Sequence, residues 1–206
     1  MSNPPEELIP PHGGYRRLKS YQLVELCYDV TARFCERYVN KFSGTNNQMV
    51  QAARSGVRNI SEGSKVSGTS KRIELKLTDI ARGSLDELRG DYRDFLRHGK
   101  LKEWSYHDPR RAEIIAKRCA TAAAVAKWVE EVHGRSGQHG QHRQSGQNGR
   151  RETYAEIAAN ATIILIGVAC SLLNRQIAAL ARNYVEQGGF TERMYRIRRQ
   201  RQHGNH

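Results

Sequence analysis

The sequence predicts an all-α protein, an antiparallel up-down four-helix bundle with an additional C-terminal helix after a flexible linker. Long segments repeat apolar residues at steps of three and four, which is the pattern of amphipathic helices. Aromatic residues make up 7% of the chain and there are 5 prolines, a composition that fits helices better than a sandwich or barrel. Short connections between four such segments favour antiparallel neighbours. A length of 206 residues suits one domain with an appendage.

The four helices are predicted at residues 15–42, 46–63, 71–98 and 108–133. Small residues line one face of the second helix, which suits close approach to a neighbour. Ser70 is the predicted N-cap of the third helix, and Asp108 followed by Pro109 begins the fourth. The buried stripe of the third helix is predicted to contain Ile73, Leu77, Ile80, Ser84, Leu88, Tyr92 and Phe95.

Composition divides the chain into four parts. We expect a flexible arm at 1–14, the bundle at 15–133, a Gly/Gln-rich linker at 134–150 and a helical suffix with a basic tail at 151–206. The run Ala161–Leu173 holds 13 uncharged residues, fewer than the ~20 of a membrane span, and predicts a buried helix. The N-terminus lacks the features of a signal peptide, so we expect a cytoplasmic protein.

The charge balance favours polyanionic partners. Lys and Arg outnumber Asp and Glu by 34 to 21, giving a net charge of +13. Two clusters of basic residues are the candidate contacts with RNA or DNA. One surrounds the turn between the second and third predicted helices, and the other lies in the C-terminal tail. They comprise Arg54, Arg58, Lys65, Lys71, Arg72 and Lys76, and Arg193, Arg196, Arg198, Arg199 and Arg201. Since aromatic interleaving is absent, we expect contact with the backbone and weak sequence specificity.

A further set of arginines, which forms a stripe along the third helix, is predicted to be a solvated face instead. Arg82, Arg89, Arg93 and Arg97 share one side of the third helix, but aspartates three residues before three of them can form ion pairs.

The segment NISEGSKVSGTSK, residues 59–71, is interpreted as a turn between helices. It lacks the lysine and the preceding strand of a phosphate-binding loop. No GxSxG motif provides a serine nucleophile, and the glycosylation sequon at Asn59 matters only in a secreted protein. The four cysteines lie far apart, which argues against a zinc site or disulfides. We therefore expect no enzyme activity, metal or cofactor.

The segment QMVQAARSGVRNISEGSKVSGTSKRIELKLTDIARGSLDEL resembles the four-helix-bundle family encoded in bacterial 23S rRNA intervening sequences. It is also similar to the accessory variability determinant (Avd) proteins of diversity-generating retroelements. The segment LLNRQIAALARNYVEQGGFTERM resembles the suffix that a subset of this family carries. The resemblance implies a bundle that assembles as a basic homopentamer. In the retroelement members this bundle binds the reverse transcriptase and nucleic acid without catalysis of its own.

The motif residues that carry the resemblance are interpreted as structural: Asn59, Ile60, Glu62, Gly63, Gly83, Ser84, Leu85, Glu87 and Leu88. Asn59 and Glu62 are expected to satisfy backbone groups at a helix end, and Gly83 and Ser84 to permit close helix packing. The competing function is a protein-interaction scaffold, a homo-oligomeric bundle that docks a partner and has no direct role with nucleic acid.

Overall fold

The computed structural model describes residues 7–138 and 152–203, and within them all regular structure is helical. The predicted all-α class is therefore confirmed for this part of the chain. A short 3-10 helix at Tyr15–Arg17 precedes the α-helices. These are α1 (Lys19–Tyr38), α2 (Gly44–Val66), α3 (Lys71–His98), α4 (Pro109–Lys117), α5 (Ala122–Gln138), α6 (Tyr154–Gln187) and α7 (Phe190–His203).

Four helices begin at a polar N-cap whose side chain accepts a backbone N–H bond. Ser43 caps α2, Ser70 caps α3, Asp108 caps α4 and Thr153 caps α6. The predicted starts at Ser70 and Asp108 are confirmed.

The fourth predicted helix is wrong, because residues 109–138 form two helices. Arg118 adopts a left-handed conformation with φ 46°, which ends α4. The Thr121 side chain then accepts a hydrogen bond from the N–H of Ala124 at 3.2 Å, where α5 begins. Since α5 continues to Gln138, the first residues of the predicted linker are helical, while residues 139–150 lie outside the described ranges.

Helix α6 packs against both α1 and α3, and α2 packs against the same two helices. Ser20 at the start of α1 donates to Gln176 late in α6, at 2.6 Å. Asn46 at the start of α2 donates to the carbonyl of Cys35 late in α1, at 3.0 Å. Both contacts pair an early with a late residue, so α1 runs antiparallel to α2 and to α6. Helices α4 and α5 pack on α6, and α5 also contacts α1.

The apolar run in α6 lies in the core, as the sequence predicts. Most of Ala161–Leu173 is buried in one hydrophobic cluster with residues of α1, α2 and α3. The segment beginning at Tyr154 is long and apolar enough to cross a membrane by composition, and 72% of its most apolar window is buried within the protein. The suffix helix and the predicted bundle therefore share a core.

The predicted stripe of α3 is wrong at two positions. Ile73 and Ile80 are 47% and 41% exposed, while Ala81 and Leu85 are fully buried. The face of α3 that points to the core is rotated toward Ala81 and Leu85 because α3 packs against both α2 and α6.

All four cysteines are free thiols in the described structure. Cys27, Cys35 and Cys170 are buried, and burial raises the pKa of Cys35 and of Cys170 to about 11. These thiols behave as small core side chains.

Candidate nucleic-acid interface

One face of α2 carries three unpaired cations. Arg54, Arg58 and Lys65 are exposed and follow one another at steps of four and seven, which places them on one side of the helix. None forms an ion pair or side-chain hydrogen bond with a described residue. Their charge is therefore available to an external anion.

The first turns of α3 continue this positive surface. Arg72 and Lys76 are exposed and unpaired among the described residues. Lys71 differs, because its ammonium lies 3.2 Å from the carboxylate of Glu74 and is half-buried. Five of the six residues predicted around this turn thus present unpaired charge.

The N-terminal segment lies across the α2–α3 turn. The N–H of Gly13 donates to the carbonyl of Ser64 at 3.2 Å. At Gly68, an added Cβ would meet the side chains of His12 at 2.9 Å and Ile9 at 3.0 Å. Glycine at this position lets the N-terminal segment approach the turn closely.

The same segment contacts α7. Arg193 is only 7% exposed and its guanidinium donates to the carbonyl of Leu8 at 3.3 Å. Of the five predicted tail arginines, Arg193 is therefore turned into the protein and holds the N-terminal segment. Arg196 is exposed and donates to the carbonyl of Gln187 at 3.1 Å.

Arg198, Arg199 and Arg201 are exposed on α7 and make no ion pair with a described residue. Because residues 8–13 touch both α7 and the α2–α3 turn, the tail arginines and the cations next to this turn lie at one end of the molecule, while Arg54 lies halfway along α2. We call this end the basic end. A groove between the N-terminal segment and α7 is lined by Glu7, Leu8, Ile9, Met194, Ile197, Arg198 and Arg201.

Sequence reasoning missed cations that the fold brings to the basic end. Arg16, Arg17 and Lys19 are exposed in and after the 3-10 helix, beside the N-terminal segment. The run of basic residues at 16–19 was the available signal, since three cations in four residues form a local positive patch.

The stripe of arginines in the later turns of α3 is paired, and the predicted partners of Arg82, Arg89 and Arg97 are confirmed. Arg82 bonds Asp79 at 2.8 Å and Asp86 at 3.2 Å, and Arg89 bonds Asp86 at 2.7 Å. Arg93 pairs with Glu103, and Arg97 with Asp94. The bond from Arg97 lowers the pKa of Asp94. This stripe offers little net charge to a polyanion.

The polar motif residues join α2 to α3. Asn59 donates to the carbonyl and hydroxyl of Ser55, and the hydroxyl of Ser55 lies 2.9 Å from that of Ser84. The expected role of Asn59 at a helix end is wrong, because these bonds lie within α2 and lead across to α3. Glu62, expected to act beside it, is exposed on α2.

The apolar motif residues lie in the core, and of the two motif glycines only Gly63 lies close to a neighbouring helix. Ile60, Leu85 and Leu88 are buried, while Glu87 is exposed. An added Cβ at Gly63 would lie 3.3 Å from the carbonyl oxygen of Glu74. At Gly83 nothing lies within 4 Å, so the expectation that Gly83 permits close packing is wrong.

The opposite end of α3 carries a network in which cations are satisfied. Arg110 binds Asp108 at 2.7 Å, binds the carboxylate of Glu152 and lies 4.0 Å from the centre of the Trp104 ring. The bond from Arg110 lowers the pKa of Asp108. Asn160 accepts from the N–H of Trp104 at 2.8 Å and donates to the carbonyl of Lys102 at 2.9 Å. We call this the polar network.

The polar network fixes the α3–α4 connection to the start of α6. The buried carboxylate of Glu156 accepts from the N–H of Lys102 at 2.9 Å. Within the described ranges, no buried side-chain nitrogen or oxygen lacks a hydrogen-bond partner. The described histidines, cysteines and carboxylates form no group of three suited to a metal ion. The arrangement is that of a structural clamp.

Comparison of the chain with protein-family models, with curated proteins and with solved structures found no match.

Proposed function

We propose that this chain is a non-enzymatic, cytoplasmic accessory protein that binds RNA or DNA through the phosphate backbone. The observation that carries the proposal is the contrast in pairing between two sets of cations. Arg54, Arg58 and Lys65 on α2 are exposed and unpaired among the described residues, whereas the arginines in the later turns of α3 are neutralised by carboxylates: Arg82, Arg89, Arg93 and Arg97. A surface of unpaired Arg and Lys binds phosphates by releasing their counterions.

The packing supports a particular bundle. We infer that α1, α2, α3 and α6 are its four helices, because α2 and α6 each contact both α1 and α3. In this arrangement the suffix contributes the fourth helix. The resemblance to the rRNA intervening-sequence and Avd families then favours a homopentamer, which would repeat the basic end five times around a ring. Light scattering that gives a 23.4 kDa monomer would contradict this assembly.

A charge-matched pair of triple variants tests the proposed function. Arg54→Gln, Arg58→Gln and Lys65→Gln together remove three unpaired charges. We expect the affinity for a fluorescein-labelled 30-nucleotide RNA to fall roughly 10- to 100-fold near 100 mM salt. The slope of log K against log salt should become shallower by about 2, since each single-strand phosphate contact contributes about 0.7.

The matched control replaces Arg82, Arg89 and Arg93 by Gln, which removes the same formal charge from the paired stripe. We expect less than a threefold loss, with melting temperature recorded for both variants. Equal losses in the two variants would show that binding follows net charge alone. No binding by the wild-type protein at 20 mM salt would exclude the proposed function.

The exposed isoleucines of α3 favour a second function, a protein-interaction scaffold that docks a partner such as a reverse transcriptase. Ile73 and Ile80 lie seven residues apart on one face of α3 and are exposed, and nothing lies within 4 Å of a Cβ added at nearby Gly83. Replacing both by Lys should abolish assembly or partner capture if this face is an interface. Retained nucleic-acid binding in that variant would separate the two functions.

A further inference from the structure

The outward face of α7 combines an aromatic ring with arginines. Phe190, Arg193, Met194 and Ile197 are buried or half-buried and form the inward face. Tyr195 lies on the other side of the helix and is 64% exposed. It makes no hydrogen bond or ring contact with any described residue. An exposed aromatic ring thus lies among the tail arginines, and the prediction that no aromatic residue interleaves with this cluster is wrong at Tyr195.

The positions of the neighbouring arginines follow from the helix period. Arg198 and Arg199 lie three and four residues beyond Tyr195, so they flank its ring one turn along the same face. Both are exposed and unpaired among the described residues. One helical turn rises about 5.4 Å, and a stacked strand rises about 3.4 Å per nucleotide, so the guanidiniums lie within about two nucleotides of the ring. One ring can therefore meet a base while the guanidiniums meet the adjoining phosphates.

We propose that Tyr195 is a base-stacking platform, which makes α7 a binding element for single-stranded nucleic acid. This inference rests on the proposed function and specifies its ligand. A duplex keeps its bases stacked on each other and offers only phosphates to the helix. A single strand has exposed base faces, and an aromatic side chain that stacks on one strengthens binding regardless of sequence.

The test compares ligands and variants in fluorescence anisotropy. Full-length protein is titrated into labelled oligo(U), labelled oligo(dT) and a labelled 20-base-pair DNA duplex. We expect Tyr195→Ala to weaken binding to both single strands about 5- to 100-fold and to change duplex binding less than twofold. Tyr195→Phe should restore single-strand binding, because it keeps the ring. The salt slope should not change, since no charge is removed.

Tyr106→Ala is the matched control. Tyr106 is 82% exposed and lies near Arg111, with the guanidinium carbon 5.8 Å from the ring centre, in the α3–α4 connection far from α7. Its loss should leave every affinity unchanged. A preference of Tyr195 for one sugar appears as unequal losses with oligo(U) and oligo(dT), and either pattern supports stacking.

The outcomes distinguish failure of the stacking platform from failure of the proposed nucleic-acid binding. If wild-type protein binds none of the three ligands, the proposed function fails. If it binds all three and Tyr195→Ala weakens them equally or not at all, the function stands and the stacking platform is excluded. A loss in Tyr195→Ala that Tyr195→Phe does not restore would also exclude it.

Discussion

The two ends of the molecule use the same residue types in opposite ways. Toward the basic end, Arg58, Lys65 and Arg72 are exposed and their side chains bond to no described residue. At the polar network, Arg110 is held by two carboxylates and by the face of Trp104. The number of cations alone therefore does not locate a binding surface. What distinguishes a surface for polyanions is cations whose neighbours leave them unneutralised.

Substitutions at the two ends should therefore have different effects. Changes at the polar network should reduce stability and leave nucleic-acid binding intact. Changes of exposed cations at the basic end should weaken nucleic-acid binding and leave stability intact.

The largest expected effect is at Asn160. Asn160→Leu leaves the buried N–H of Trp104 and the carbonyl of Lys102 without their partner. An unsatisfied buried polar group costs about 1 to 3 kcal/mol, so we expect the free energy of unfolding in urea to fall by roughly 2 to 4 kcal/mol. At a temperature where the variant is still folded, its affinity for RNA should match wild type. A parallel loss of affinity would mean that the two ends are coupled.

A smaller effect is expected at Asp108, with a defined pH dependence. Asp108→Asn keeps an N-cap side chain on α4 but removes the charge that bonds Arg110. We expect a loss of about 1 to 2 kcal/mol at pH 7.

The sign of the pH dependence follows from the lowered pKa of Asp108. Because the folded protein holds the carboxylate in its charged form, the stabilisation is complete above the ordinary pKa of aspartate. It is lost as pH falls through the lower, folded-state pKa. The urea midpoints of wild type and Asp108→Asn should therefore converge below about pH 4. A difference in urea midpoint that does not shrink as pH falls below about 4 would assign the effect to something other than this charge.

The smallest effects on stability are expected at two glycines, Gly63 in α2 and Gly83 in α3. Gly63→Ala places a Cβ 3.3 Å from a backbone oxygen of α3, and α2 and α3 must separate slightly. Gly83→Ala meets nothing within 4 Å and gains helix propensity. We expect thermal unfolding to show Gly83→Ala stabilised by about 0.5 to 1 kcal/mol and Gly63→Ala destabilised by a similar amount. Stabilisation by both would show that the helices can adjust at Gly63 without loss.

The sequence predicted the helices that carry strong local signals. Ser70 and Asp108 begin helices because their side chains cap backbone N–H groups, and such caps depend only on neighbouring residues. The break at Arg118 was missed, because no glycine or proline marks it. Its left-handed backbone has no signature in the residue type.

Which surface each cation occupies could be predicted only in part. Arg82 and Arg89 were assigned to a paired stripe because their partners lie three or four residues away. Arg193 was placed among the exposed tail arginines, yet it bonds to Leu8, 185 positions away in the chain. The polar network also joins residues about fifty positions apart, such as Trp104 and Asn160. Contacts at that separation leave no periodic trace in a single sequence.

The position of α6 in the core has a consequence for synthesis on the ribosome. This helix covers apolar faces of α1 and α3, and all of its 34 residues are translated after both of those helices. While the first 150 residues emerge, the apolar faces of α1 and α3 lack the helix that completes their enclosure. The nascent chain therefore exposes an aggregation-prone surface until α6 has left the exit tunnel. Folding is completed late, and a chain released before residue 187 lacks the helix that closes its core.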